Sequence, residues 1–124
     1  MDVINISATD ETPNVTLDKN GNKFEFSGKS LPEDVTVFYN PILKWLDAYG
    51  SSPNSSTEVV FKMDYFNTAS SKLILDILMK FEEINEEHGG VSIKWYYLED
   101  DEDMEEAGDE FSDIVDVPIE LIQY

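Results

Sequence analysis

The chain has 124 residues, with 27 acidic side chains against 8 basic ones and a formal net charge of −19. Every basic residue is lysine; arginine and cysteine are absent, and histidine occurs once. These facts exclude disulfide scaffolds, thiolate metal sites and thiol catalysis, and they oppose binding to free nucleic acid or anionic membrane, which both need cations against phosphate.

The length supports a single domain over 1–124, and a 41% hydrophobic content with seven Phe, six Tyr and two Trp supplies its core. No apolar run reaches the roughly 18 residues of a membrane-spanning helix. The start, Met1-Asp-Val-Ile-Asn5, lacks a basic leader region. A cytoplasmic protein is therefore expected.

Val3 to Leu17 holds two extended pieces around the turn-rich Thr9–Pro13, and Asp18-Lys-Asn-Gly21 is a tight-turn signal. Lys23–Ser27 alternates polar and apolar residues like a half-buried strand, so the two segments read as a hairpin. Ser30-Leu-Pro-Glu33 has the pattern of a capping box with proline in the first turn. Phe38, Ile42, Trp45 or Leu46, and Tyr49 then mark the apolar face of a helix. Pro41 either kinks that helix or opens a second one capped by Asn40.

Glu58 to Phe66 is nearly continuous in apolar residues, as in a central strand covered on both faces. Asn67–Ser71 leads into a helix with Leu73, Ile77, Phe81 and Ile84 on one face, stopped by Gly89-Gly90. Val91, Ile93, Trp95 and Tyr97 alternate along the next strand, and Val117–Ile122 reads as an edge strand limited by Pro118. The expectation is an α/β domain with a mixed four-stranded sheet in order 1-2-3-4. An N-terminal hairpin is followed in it by parallel strands, with helices packed on the sheet.

Charge is uneven: 11 of the 18 residues from Glu99 to Asp116 are acidic and none is basic. Met104, Ala107, Phe111, Ile114 and Val115 recur there at helical spacing, which predicts an acidic helix with one apolar edge. An EF-hand beginning at Asp103 fails, because its twelfth position is Ile114 where a bidentate Glu is needed. His88, the lone histidine, stands just before Gly89 and reads as a cap at a helix carboxyl end. No phosphate-cradling glycine loop is present, and nothing singles out one carboxylate pair for acid–base work, so an enzyme is not expected. In the adjacent aromatic pairs Tyr65-Phe66 and Tyr96-Tyr97, one ring must point away from the other, and an outward ring on an uncovered sheet marks a contact surface.

Asn67-Thr-Ala-Ser-Ser-Lys72 joins a buried strand to a helix at the strand's carboxyl end, where α/β sheets present their sites. Asn67 or Thr68 serves as N-cap, and a hydroxyl here is also well placed to accept phosphate, since a helix amino end favours added negative charge.

Five segments in order along nearly the whole chain resemble one family. They are Ser7–Pro13, Gly28–Glu33, Phe38–Leu46, Asp64–Lys72 and Trp95–Met104. They are similar to the SiaC family of bacterial regulatory phosphoproteins, with Tyr65-Phe-Asn-Thr-Ala-Ser-Ser-Lys72 the strongest element. Asp34 and Leu98 depart mildly from the pattern.

The resemblance implies a small STAS-like domain akin to anti-sigma-factor antagonists, acting as a partner switch. A cognate kinase phosphorylates a threonine, by position Thr68, and a PPM-type phosphatase removes the phosphate. The unmodified form binds and activates a diguanylate cyclase, in cyclic di-GMP signalling. The interaction loop carried over is Asn67, Ala69, Ser70, Ser71 and Lys72. No cofactor or metal is implied. Two other readings stand beside it: an anti-sigma-factor antagonist proper, acting on transcription, and a small carboxylate enzyme. With no arginine to capture a phosphate and only Lys62 and Lys72 near in sequence, the phosphate is expected to act at the partner surface rather than by refolding the chain.

Overall fold

The structure is a computed structural model describing residues 2–124. Its first strand, β1 (Ile4–Ile6), pairs antiparallel with β2 (Asn14–Asp18) across the loop built around Thr9, whose Oγ1 accepts the Glu11 and Thr12 N–H groups. A tight turn leads to β3 (Lys23–Ser30); Asp18 Oδ1 accepts the Gly21 N–H at 3.0 Å, and Asn22 takes φ 51°. The hairpin expected from Asp18–Gly21 is therefore present.

Helix α1 (Val35–Gly50) is one continuous helix with Pro41 inside it. The proline removes the bond to the Val37 carbonyl, and Val37 is 68% exposed, so water is within reach of that carbonyl. The expected capping box at Ser30 does not form. The cap is Asp34, whose carboxylate accepts the Val37 N–H at 3.1 Å, while Ser30 ends β3. Tyr39, not Phe38, shares the buried face with Ile42, Trp45, Leu46 and Tyr49.

Strand β4 (Thr57–Phe66), helix α2 (Thr68–His88), strand β5 (Val91–Tyr97), helix α3 (Glu102–Ile114) and strand β6 (Ile119–Gln123) complete the chain. The sheet has six strands in order β1-β2-β3-β4-β5-β6, with β3 through β6 parallel to one another. The expected four strands are its middle. The short β1 and the carboxyl-terminal β6 extend it at either edge, and Pro118 does not prevent this, since its carbonyl accepts the Ile93 N–H.

Crossovers of one hand that advance a strand at a time place their helices on one side of the sheet. Phe24 of β3 meets Trp45 and Tyr49 of α1; on the same face Phe26, Phe61 and Trp95 stack in a row, and Trp95 meets Phe111 of α3 edge-on. The opposite face is open. Glu58, Lys62 and Asp64 of β4 are exposed, which corrects the expectation that this strand is covered on both sides. A register shift opposite Gly28 and Lys29 adds a residue to β4, so that Met63 and Phe66 both turn to the core while Tyr65 turns out, 52% exposed. Tyr96 faces out as well, and beside it the Lys62 ammonium lies over the ring of Tyr124, 4.4 Å from its centroid.

The acidic helix forms as expected, seated by Met104, Phe111 and Val115, but Ile114 is 60% exposed rather than part of the apolar edge. Its seat depends on Gly108. A Cβ there would overlap the Trp95 indole and stand 2.5 Å from Leu121 Cδ2. The Trp95 Nε1–H donates to the Met104 carbonyl at 3.0 Å, closing the contact.

Candidate functional site at the amino end of α2

The parallel strands end at one edge of the sheet, and each is followed there by a helix or by the chain terminus. At that edge Asn67 leaves β4 in extended conformation (φ −83°, ψ 176°), and its side chain accepts the Ser70 N–H at 2.8 Å. Asn67 is thus the N-cap, which satisfies one of the free donors of the first turn. Thr68 is the first helical residue and is exposed, as are Ala69 and Lys72; Asn67 and Ser71 are half-buried, and Ser70 is fully buried.

Across from Thr68 lies α3. A shallow cleft of about 260 Å³ runs between them, lined on the α2 side by Asn67, Thr68 and Ser71. Asp103, Glu106 and Glu110 line its α3 side, with Phe66 and Ala107 as the apolar part. Neither lysine named from the sequence lines this cleft. Lys72 sits one turn along α2, and Lys62 is on the open face of the sheet, engaged with Tyr124. The local field has two opposed parts: the positive end of α2 favours an added anion on Thr68, and three carboxylates oppose it.

Two residues that sequence reasoning did not connect to the site hold it from below. Ser30 Oγ donates to Ser70 Oγ at 2.8 Å and lies 2.6 Å from the Tyr39 hydroxyl. Burial pushes the Tyr39 phenol above its ordinary value, and the Ser30 contact offsets part of that shift. A signal was present: counting inward positions 24 and 26 on to 30 places Ser30 on the core face of β3, once the strand is carried past Ser27.

The other candidates are structural. His88 ends α2 as expected, but Gly89 provides the cap, and the imidazole Nε2 lies 3.1 Å from the carbonyl of Gly50 at the end of α1. Asp103 and Gly108 lie within α3, so no calcium loop exists there. Among the described residues, Glu82, Glu86 and Asp116 are the carboxylates gathered closely enough to share an ion. Glu82 already accepts the Asp116 N–H at 2.6 Å, tying the end of α3 to α2. No helix among the described residues is long and apolar enough to cross a membrane.

Comparison with known proteins agrees with this geometry. The fold overlays that of SiaC of Pseudomonas aeruginosa with a TM-score of 0.90, at 24% identity and over the whole of both chains. It overlays apo-SiaC from the same organism with a TM-score of 0.88, at 25% identity over 98% of this chain and 99% of that one. It also matches, with a TM-score of 0.89 at 24% identity, a chain in the crystal structure of the diguanylate cyclase SiaD in complex with its activator SiaC, over 98% of this chain and 99% of that one. An uncharacterised protein of P. aeruginosa strain UCBPP-PA14 is 26% identical over 121 residues, 98% of this chain and 96% of its own. Residues 6–124 match the family described as SiaC family regulatory phosphoprotein, a regulatory rather than a catalytic role. A six-stranded α/β domain with three helices and this strand-to-helix junction, matched over nearly its full length, therefore belongs to the SiaC family.

Proposed function

We propose that this chain is a cytoplasmic signalling switch whose state is set by phosphorylation of Thr68. A cognate kinase adds the phosphate and a PPM-type phosphatase removes it. The unmodified form binds and activates a diguanylate cyclase. The observation that carries the reading is the placement of Thr68: an exposed hydroxyl on the first residue of α2, beside an open cleft at the carboxyl edge of the sheet.

A phosphate there adds about −1.5 to −2 charges. It meets the favourable end of α2 and the unfavourable carboxylates of Asp103, Glu106 and Glu110, with no lysine lining the cleft to bind it. The two fields oppose each other, so the modification changes the surface presented to a partner more than the fold beneath it. Near the same edge of the sheet, Tyr65 at the end of β4, Leu98 just after β5 and Val37 in the first turn of α1 are exposed, at 52%, 44% and 68%. Apolar side chains beside a switchable charge are what a releasable protein contact requires. Asn67, Ala69, Ser71 and Lys72 flank the acceptor as contact residues, and Ser70 shapes the loop from within. The partner is the class of protein that SiaC activates in its complex with SiaD. The STAS-like character of the domain belongs to the same proposal and rests on the sequence resemblance.

The test is capture of partners, with cyclase turnover as the second readout, using Thr68→Ala and Thr68→Glu side by side. Retention and activation of a diguanylate cyclase by the alanine variant, with loss by the glutamate variant, is the expected result. Equal behaviour of the two sinks the switch. Recovery of an anti-sigma factor in place of a cyclase redirects the output to transcription.

A further inference from the structure

Three hydroxyls meet where the ends of β3 and β4 approach the helices. With the Ser30 proton committed to Ser70, the bond between Ser30 and Tyr39 is donated by the phenol, and the chain runs from Tyr39 to Ser30 to Ser70. All three are closed to solvent, at 1% exposure for Tyr39 and 0% for both serines. The carbonyl of Ser30 also accepts the Asn67 N–H at 3.1 Å. Ser30 thus grips residue 67 through its backbone and residue 70 through its side chain, and Thr68 lies between the two grips.

Apolar packing is non-directional and tolerates a helix turning about its axis. Hydrogen bonds do not, because they weaken steeply with angle. At about 100° per residue, Ser70 stands nearly opposite Thr68 on the helix, while Ser71 shares its side. A rotation of α2 would bring Ser70 toward the surface at the expense of Thr68.

We propose that the buried hydroxyl chain Tyr39–Ser30–Ser70 is the positioning device that fixes the rotation of the first turn of α2, presenting Thr68 and withholding Ser70 from modification. This rests on the reading of Thr68 as the phosphoacceptor. Tyr39, Ser30 and Ser70 act through the turn and do not themselves take part in phosphate transfer.

The experiment uses Tyr39→Phe and Ser30→Ala in the full chain, with two readouts. The first is native-state amide exchange at residues 70–72 against Val59 and Ile93 of the sheet. Ser30→Ala leaves two buried hydroxyls without their shared partner, whereas Tyr39→Phe keeps the bond between the serines. Protection in the first turn is expected to fall about tenfold for Ser30→Ala and less for Tyr39→Phe, with the sheet amides unchanged. A general loosening would treat the two single-oxygen deletions alike and spread to the sheet.

The second readout is the position of phosphate, mapped by peptide mass spectrometry after incubation with the cognate kinase. It is expected on Thr68 alone in the native chain and on Ser70 as well in Ser30→Ala. Equal loss of protection across the domain, no loss in the first turn, or phosphate confined to Thr68 in Ser30→Ala overturns the proposal. A native chain that takes no phosphate at Thr68 sinks the acceptor reading instead, and the exchange result still judges the clasp.

Discussion

Helices α2 and α3 face each other across one cleft, start at the same edge of the sheet and carry side-chain caps of the same kind, Asn67 and Asp101, yet they are held very differently. Helix α2 buries Ile74, Ile77, Leu78, Phe81 and Ile84 along its length and is clasped at its first turn by Ser30. Helix α3 has seven acidic residues and no basic one in thirteen, and it buries only Met104, Gly108 and Phe111. The wall that carries Thr68 is part of the core, and the acidic wall opposite is laid on it. A charge added between them is borne by a rigid support on one side and a thinly anchored helix on the other.

The strongest way to test this contrast is to cut each helix at its largest anchor. Phe81 is 0% exposed in the centre of α2, and Phe81→Ala is expected to cost about 3–5 kcal/mol and unfold the whole domain in urea at a much lower midpoint. Phe111, at 6% exposure near the sheet edge, leaves a site that neighbours or water fill more easily. Phe111→Ala is expected near the lower end of that range, at about 3 kcal/mol, with loss of near-ultraviolet signal from Trp95 preceding global unfolding. Single coincident transitions in both variants would show that α3 is as integral as α2.

Gly108→Val sharpens the same point from the opposite direction. Replacing a mid-helix glycine by valine gains only about 0.3 kcal/mol of helix propensity, because the β-branched side chain loses rotamer freedom in a helix. The new side chain is driven into Trp95 and Leu121, and overpacking costs about 1–3 kcal/mol, so the packing effect wins. Tryptophan fluorescence is expected to shift while the far-ultraviolet spectrum keeps its helix. An unchanged or raised midpoint would mean that α3 adjusts freely on its seat.

This contrast also explains which parts of the molecule were legible in the sequence. Helix α2 was readable because its apolar spacing, its Asn67 cap and its Gly89 stop all agree. The inner strands β3, β4 and β5 were readable because apolar residues alternate in β3 and β5 and run almost unbroken in β4. The sheet's edges were legible only as extended segments, since β1 has three residues and β6 follows a proline, so neither carries a pattern long enough to count it into the sheet. The covering of β4 was misjudged because Val60 sits among apolar neighbours, and only the helices' shared side reveals that its face is open. The Ser30 clasp was hidden for another reason. A serine before Leu-Pro satisfies a local capping rule, and its actual partners, Tyr39 and Ser70, are 9 and 40 residues away. Thr68 was found through its position after a buried strand together with the family resemblance, while the carboxylates facing it come from α3, whose charge and apolar edge were legible but whose place across from Thr68 was not.

The two caps offer a finer comparison. Asn67→Ala and Asp101→Ala each remove one side-chain acceptor from a first turn, worth about 1 kcal/mol in general. The α3 cap lies before Glu102, Asp103 and Glu105, which already stabilise that helix end, and Asp101→Ala also removes a negative charge from a crowded segment. Asn67→Ala is therefore expected to cost the fuller amount in thermal denaturation, and Asp101→Ala about half of it. Raising the salt concentration narrows the difference by screening the repulsion within α3. A larger loss at Asp101 would reverse the ranking of the two helix ends.

A pH titration separates the clasp from everything else that titrates. Burial holds the Tyr39 phenol above the ordinary value of 10.0, so the folded state keeps its proton to a higher pH than the unfolded chain does. Below pH 10 both states hold the proton and this contribution to stability is fully present. Above it, the unfolded chain has lost a proton that the fold retains, and stability falls with rising pH, by at most about 1.4 kcal/mol per unit for one group. Lys80 and Lys94, raised by their bonds to Asp47 and Glu120, lose stability over the same range, as do the raised phenols of Tyr97 and Tyr124. All four are present in Tyr39→Phe as well, so the difference between the two proteins isolates Tyr39. At neutral pH the variant is less stable by about 1 kcal/mol for the lost hydrogen bond. As pH rises past 10 the native curve descends faster and the two converge. Parallel curves would mean that the Tyr39 hydroxyl ionises as readily inside the fold as outside it, and the clasp would then be open to water.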